Sequence, residues 1–263
     1  MKFGIIGLGK VGLSLCLYLK EKNIDFFWWT RSEEKRKEFE NLIGKAKNSA
    51  ISLFKDSDFI FISIKDDEIE NFLKDLNLNL NKQKFSIHLS GSLPVSILNP
   101  LKEKKFKIGS FHPIQTFPFP SPLNFKNIYA SFVGDEEIYE ILRELFKDDV
   151  KIIKVNEEQK FLIHIASTIS SNFFVFLLRK AEEILKKGEI NLEILFPLIQ
   201  NTFENVKKEG TYKSITGPAK RRDYNTIFLH EKYIFENFRD FFKTYLELTK
   251  GILKDEVFRE IKI

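Results

Sequence analysis

The sequence predicts an α/β domain built on a mainly parallel sheet, followed by an all-α domain. Three observations predict it. Short apolar runs alternate with amphipathic helical stretches through the first half, and strands alternating with helices imply parallel pairing. A glycine-spaced turn joins the first apolar run to the first helical stretch. After about Val155 the strand pattern stops and long helical patterns take over. A boundary is therefore expected near residue 155, giving domains 1–155 and 156–263.

Strands are expected at Lys2–Ile6, Asp25–Trp29, near Ala46–Ile51, Asp58–Ile64, Lys84–His88, Lys107–Phe111, Ile128–Val133 and Val150–Lys154. Their runs are apolar and often β-branched or aromatic. Helices are expected between several of them, at Lys10–Lys22, Ser32–Ile43, Asp67–Leu76 and Glu136–Phe146. The second half reads as helices at Glu157–Lys187, Leu192–Lys208, Asp223–Phe235 and Asn237–Lys254. No internal repeat is visible, and Phe117–Pro122 (FPFPSP) is a proline-stiffened loop.

The most informative segment is FGIIGLGKVG, residues 3–12. Gly7 permits a tight strand-to-helix turn, Gly9 lets bare backbone approach a pyrophosphate, and Gly12 lets helix and strand pack closely. Leu8, Lys10 and Val11 fill the loop between them, and the diphosphate sits at the N-terminus of the following helix. The strand Asp25–Trp29 closes a βαβ unit at the expected spacing, so the first domain reads as a Rossmann dinucleotide-binding fold. A glycine-rich turn without a ligand is the plainer alternative.

Beyond the second strand stand Thr30, Arg31 and Ser32, with no carboxylate at the strand tip. An NAD site usually has an acidic residue there for the ribose 2′-hydroxyl. A guanidinium suits a 2′-phosphate instead, with Thr30 or Ser32 adding hydroxyls. NADP(H) is therefore the expected cofactor. The alternative is that Thr30 and Glu33 form a capping box on the next helix and Arg31 is merely solvated.

The net charge of +5 arises from 42 basic and 37 acidic residues, well interspersed. No stretch builds the one-sign face of a nucleic-acid binder. A single cysteine, Cys16, excludes an internal disulfide and suits a reducing cytoplasm. Lys10 interrupts the apolar N-terminus, which lacks a signal-peptide cleavage site. The charge-free run Phe161–Leu178 is long enough to span a bilayer. Its His, Ser, Thr and Asn residues favour a buried central helix, so no membrane is expected. No residues are assigned to a metal.

Ligands of open α/β sheets sit beyond the carboxyl ends of the strands. The fourth strand closes in Ser63, Ile64 and Lys65, whose backbone is expected near the cofactor ribose. The fifth closes at His88 and is also placed at the cofactor, whereas His112 closes the sixth and precedes a proline-fixed turn. Either histidine could instead bond loop carbonyls. On the helix from Glu157, Lys160, His164, Ser167 and Ser171 form a narrow stripe flanked by Thr168 and Asn172, and the rest of the wheel is apolar. Uncharged polar groups on such a helix point to an enclosed cleft, where each needs a partner. A polar helix–helix seam without chemistry is the alternative. The loop Gly210–Asp223 carries Lys220, Arg221 and Arg222 after a Thr216-Gly217-Pro218 turn. It suits either an anionic ligand or plain solvation.

The order of motifs resembles a known family. It comprises the GxGxVG turn, His112–Phe117 (HPxQTF), the Lys160/His164 helix running into Ser171-Asn172, Glu204-Asn205, and Thr216–Asp223 (TGPxxRxD). It is similar to uncharacterised proteins that join a Rossmann-like domain to a helical domain of unknown function, number 2520. That family resembles the 6-phosphogluconate dehydrogenase-like superfamily, including pyrroline-5-carboxylate and ketopantoate reductases. The resemblance implies NADP(H), an all-helical second domain and a homodimer formed through it. Some of those relatives place a Lys and an Asn one helical turn apart at the substrate. Here the residue one turn after Lys160 is His164, and Lys65 stands where relatives often have proline.

The expected function is an NADP(H)-dependent reductase of a small keto- or imino-type substrate at a cleft between the domains. Lys160, His164 or His112 would serve as acid, and Ser167, Ser171 and Asn172 would orient the substrate. The rival is an NADP(H)-binding regulatory or scaffold protein without turnover, because fold alone does not prove catalysis.

Overall fold

The computed structural model describes residues 1–78 and 82–260. Contacts divide the chain into two compact units, Met1–Phe173 and Phe174–Ile263. The helix that starts at Glu157 thus packs with the first unit.

Unit one holds a seven-stranded sheet in the order β2-β1-β3-β4-β5-β6-β7. The strands are β1 (Phe3–Ile6), β2 (Phe26–Trp29), β3 (Phe59–Ile62), β4 (Lys84–His88), β5 (Phe106–Ile114), β6 (Ile128–Gly134) and β7 (Val150–Lys154). Neighbours pair in parallel except β5 and β6. Pairing of β4 with β5 stops at His88↔Ser110, whereas β5 continues along β6 to Ile114. Pro113 therefore lies where its strand has one neighbour, a position that tolerates a missing N–H.

Side-chain alternation sends the two faces into separate cores. Ile5, Phe59 and Phe61 join Leu15, Tyr18 and Leu19 of α1 (Lys10–Glu21) and Leu142 and Phe146 of α6 (Glu136–Phe146). Ile6, Ile60 and Ile62 join Leu53 and Phe54 of α3 (Ala50–Asp56), Ile69 and Leu73 of α4 (Asp66–Lys74) and Leu101 of α5 (Asn99–Lys102). The helix α2 (Glu33–Ile43) flanks β2.

One expected strand, near Ala46–Ile51, is absent. The segment is a loop leading into α3, because Ser49 and Ser52 close a reciprocal capping box. Ala50, Leu53 and Phe54 then bury one helical face. Ser32 caps α2 by accepting from the Lys35 N–H at 3.2 Å. The cap is thus not the Thr30/Glu33 box.

A helical run from α7 (Glu157–Thr168) passes through a π-helical turn, Ile169–Phe173, into α8 (Phe174–Lys186). Unit two continues with α9 (Phe196–Glu209), α10 (Thr211–Ser214), α11 (Tyr224–Asn237) and α12 (Arg239–Glu260). Within it Lys180 bridges Asp240 at 2.7 Å and Glu183 at 2.8 Å. The run Glu157–Lys186 is long and apolar enough to cross a membrane, and none of its apolar window is buried in the single chain. Phe161, Leu162, Phe173 and Val175 are 49%, 57%, 56% and 62% exposed.

Candidate active site

The glycine turn is packed tightly at two of its three glycines and open at the third. Gly7 has φ +91°, and a methyl added there would meet the Ser63 carbonyl oxygen at 2.6 Å. A methyl at Gly12 would lie 2.1 Å from the Gly7 carbonyl oxygen, so α1 and the turn touch backbone to backbone. At Gly9, by contrast, a methyl would meet nothing within 4 Å among the described residues. Gly9 begins α1 without a side-chain cap, and the first turn carries no acidic residue. Open space above Gly9 and uncapped N–H groups suit an anion. Lys10 is exposed, Val11 half-buried and Leu8 buried in the core.

The β2 tip and the β3–α4 turn flank that loop. Thr30 is buried, and its carbonyl accepts from Arg36 Nε at 2.7 Å. The Arg31 guanidinium reaches across to Glu68 of α4, 3.2 Å away. The Ser63 N–H donates to the Ile6 carbonyl at 2.7 Å. Ile64 is half-buried, and exposed Lys65 caps α4 through its backbone. At the next turn the Ser90 and Ser92 hydroxyls both donate to Asp66, at 2.6 and 2.7 Å.

His88 is not at a ligand surface. It is wholly buried, and neither ring nitrogen makes a hydrogen bond of ordinary geometry among the described residues. The position expected at the cofactor is instead enclosed at the end of β4, between β3 and β5. Burial, helped by the nearby Lys160 charge, lowers its pKa from 6.5 to about 4, with the Asp66 and Glu157 charges and the Pro94 carbonyl opposing the fall.

His112 and His164 do come together. Their rings meet edge-on with centroids 5.3 Å apart. A methyl on Gly91 would lie 2.6 Å from His164 Nδ1 and 2.7 Å from His112 Nε2, so both imidazoles converge above that glycine. The Leu89 carbonyl lies 3.2 Å from His112 Nδ1. That contact assigns the proton to Nδ1 and leaves Nε2 as the acceptor when the ring is neutral. Burial lowers the His112 pKa, and the Leu89 bond opposes this.

Lys160 lies behind them, 1% exposed. Its ammonium donates to the Leu93 carbonyl and, at 3.3 Å, to the Ser110 hydroxyl. It also pairs with Glu157 at 2.9 Å. Glu157 in turn accepts from the Val95 N–H at 2.6 Å. Three acceptors use all three donors of the ammonium, so Lys160 ties α7 to the middle of β5 and to the loop after β4. Lys160→Ala should lower stability by about 2–4 kcal/mol, because it strands buried acceptors and half of an ion pair. Urea unfolding measures this, and a change below about 0.5 kcal/mol would show that the clamp carries little.

The polar stripe faces inward while the apolar part of the wheel faces outward. Lys160 is buried and His164, Ser167, Thr168 and Ser171 are half-buried. Ser167, Thr168, Ser170 and Ser171 each donate to the carbonyl four residues back, a pattern that bends helices. The π turn starts at Ile169 and contains Ser170 and Ser171. Its i→i+5 winding is slower than that of an α-helix, which turns exposed Asn172 back toward the His164 side. Periodicity at 100° per residue places Asn172 further off. Gly91 and Glu68 escaped the sequence reading. A small residue between the strand-end histidines was a usable signal for Gly91. Nothing in sequence pairs Glu68 with Arg31.

A cavity of about 740 Å³ opens by Phe3, Tyr18 and Phe146, near the start of β1, and holds none of these residues. Among the described residues no group of three or more His, Cys, Asp or Glu side chains could hold a metal.

Comparison with known proteins adds independent findings. Residues 2–91 match the family described as NADP oxidoreductase, coenzyme F420-dependent. Residues 128–252 match a domain of unknown function, DUF2520. No curated protein sequence matches the chain. A Bacteroides fragilis structure named as an NADP oxidoreductase is 22% identical with TM-score 0.84, covering 96% of this chain and 98% of that one. Pyrroline-5-carboxylate reductase from Streptococcus pyogenes is 16% identical, with TM-score 0.67 and coverage of 95% and 98%. An imine reductase from Myxococcus stipitatus, in complex with NADP+, is 15% identical, with TM-score 0.70 and coverage of 97% and 95%.

Proposed function

We propose that this chain, which joins an NADP oxidoreductase domain to DUF2520 in the 6-phosphogluconate dehydrogenase-like fold, reduces a small C=N or C=O substrate. The cofactor is NADP(H). The observation that carries the reading is the pair of imidazoles meeting above Gly91, just past the carboxyl end of β4, in the sheet whose β1 feeds the glycine turn.

When bound, NADPH supplies the hydride. The chain's own residues supply the proton and the positioning. His164 protonates the nitrogen or oxygen that becomes the amine or alcohol, in the manner of a general acid. His112 presents its Nε2 as an open acceptor beside His164. Lys160 holds α7 against Leu93 and Ser110, and so fixes where His164 stands; it positions rather than protonates. Ser171 and Asn172 orient the substrate.

The outward apolar face of α7 and the π turn supports a homodimer. So do exposed Phe196, Leu198, Phe203, Phe228 and Leu229 on α9 and α11. Apolar patches of this kind mark association surfaces, and a second copy covers them here. Buried Cys16 suits a reducing cytoplasm.

NADPH oxidation followed across a panel of cyclic imines, keto acids and imino acids tests the reading. His164→Ala should lower turnover by about 10²-fold or more and leave NADPH affinity unchanged. Saturating NADPH at 100 times its Kd should stabilise the fold by about 2.7 kcal/mol. Thermal stabilisation without turnover of any substrate would favour a cofactor-binding scaffold.

A further inference from the structure

We infer that Glu68 competes with the cofactor's 2′-phosphate for Arg31, and so sets how strongly the chain prefers NADP(H) over NAD(H). The inference rests on the reading that Arg31 receives the 2′-phosphate.

The geometry is specific. Arg31 lies two residues past the end of β2, and Glu68 lies in the first turn of α4, just past β3. The strand between them in the sheet is β1, which feeds the glycine turn. The Arg31–Glu68 pair therefore reaches across the mouth of the dinucleotide loop, on the side where β2 ends. Both partners are accessible, with side chains 73% and 38% exposed, so an incoming anion can reach the guanidinium.

Arg36 makes the arrangement directional. Its guanidinium donates to the Thr30 carbonyl at 2.7 Å and the Arg31 carbonyl at 3.3 Å, and it lies over the Trp29 ring. These contacts fix the backbone of the β2 tip, so Arg31 is presented on a rigid base. Its free end meets a carboxylate in a position suited to a phosphate. A phosphate monoester offers more charge and more acceptor oxygens than a carboxylate, and it pairs bidentately with arginine. It would displace Glu68 and then lie beside a carboxylate of its own sign. Both effects penalise NADP(H) and spare NAD(H), which lacks the phosphate.

Titrating the full-length chain with NADP+ and NAD+ by isothermal calorimetry tests this. Glu68→Gln should tighten NADP+ about 3- to 10-fold at low salt and leave NAD+ within about twofold. The gain should shrink as ionic strength rises and screening grows. Unchanged or weaker NADP+ binding in Glu68→Gln would overturn the competition. Arg31→Ala separates the two claims. It should weaken NADP+ toward NAD+ affinity. If it leaves NADP+ affinity unchanged, the 2′-phosphate is held elsewhere, and the underlying reading falls with the inference. A loss in Arg31→Ala with no gain in Glu68→Gln keeps that reading and removes Glu68 alone. Circular dichroism of each variant checks that α4 and the sheet are intact.

Discussion

Gly12→Ala should abolish measurable NADP(H) binding and also destabilise the unliganded protein by about 2–3 kcal/mol. The reason is that the added methyl would lie 2.1 Å from the Gly7 carbonyl oxygen. A side chain could rotate away, but this neighbour is backbone. Gly7 itself is pinned, because its N–H donates to the Trp29 carbonyl at 2.9 Å and its φ is +91°. Relief therefore requires α1 to move away from β1, which opens the packing of Leu15 and Leu19 and displaces the N–H groups that would face a bound diphosphate. Gly9→Ala provides the contrast. Its φ of −71° is ordinary for alanine and nothing lies within 4 Å of the new methyl. The unliganded fold should keep its stability to within about 0.5 kcal/mol, yet affinity for NADP+ should fall because the methyl occupies the space the diphosphate needs. Thermal melting without ligand and NADP+ titration together separate the two variants. If Gly9→Ala binds NADP+ as well as the parent, the diphosphate does not lie against that residue.

Much of the first unit could be read from sequence because strand packing repeats every two residues and helix packing every 3.6. Ile5 against Ile6, and Phe59 and Phe61 against Ile60 and Ile62, divide between two cores as that alternation requires. Signals weaken where side chains bond their own backbone. Ser49 and Ser52 convert an apolar run that reads as a strand into the start of α3. Two hydroxyls at the end of α7, Ser167 and Thr168, and two more inside the π turn, Ser170 and Ser171, bond back to the backbone, and no 100° periodicity anticipates that turn. The polar stripe containing Lys160 and His164 was legible as a stripe. Its partners were not, since Leu93, Ser110 and Gly91 lie more than 45 residues away in the chain. His88 shows the limit most clearly. A histidine at a strand end reads as a ligand contact, but this one is wholly buried between two neighbouring strands.

Acid should destabilise this protein well before its carboxylates titrate, and His88 should be the main cause. Its folded pKa, about 4, lies below the unfolded value of 6.5. Between those values the unfolded chain binds a proton that the folded chain refuses, so stability rises with pH across the window and is lost as pH falls through it. The shift corresponds to about 3 kcal/mol, a large share of a typical domain's 5–15 kcal/mol. His112, also depressed by burial, adds in the same direction. Carboxylates held low by partners, such as Asp149 beside Lys22, contribute only at lower pH. The difference between parent and variant therefore isolates His88. In His88→Leu, which keeps an apolar group of similar size, urea-unfolding free energies at pH 7 and pH 4.5 should differ by about 2 kcal/mol less than in the parent. Equal pH dependence in both proteins would mean that water or a loop movement reaches His88. The packing around His88 would then be looser than its burial implies.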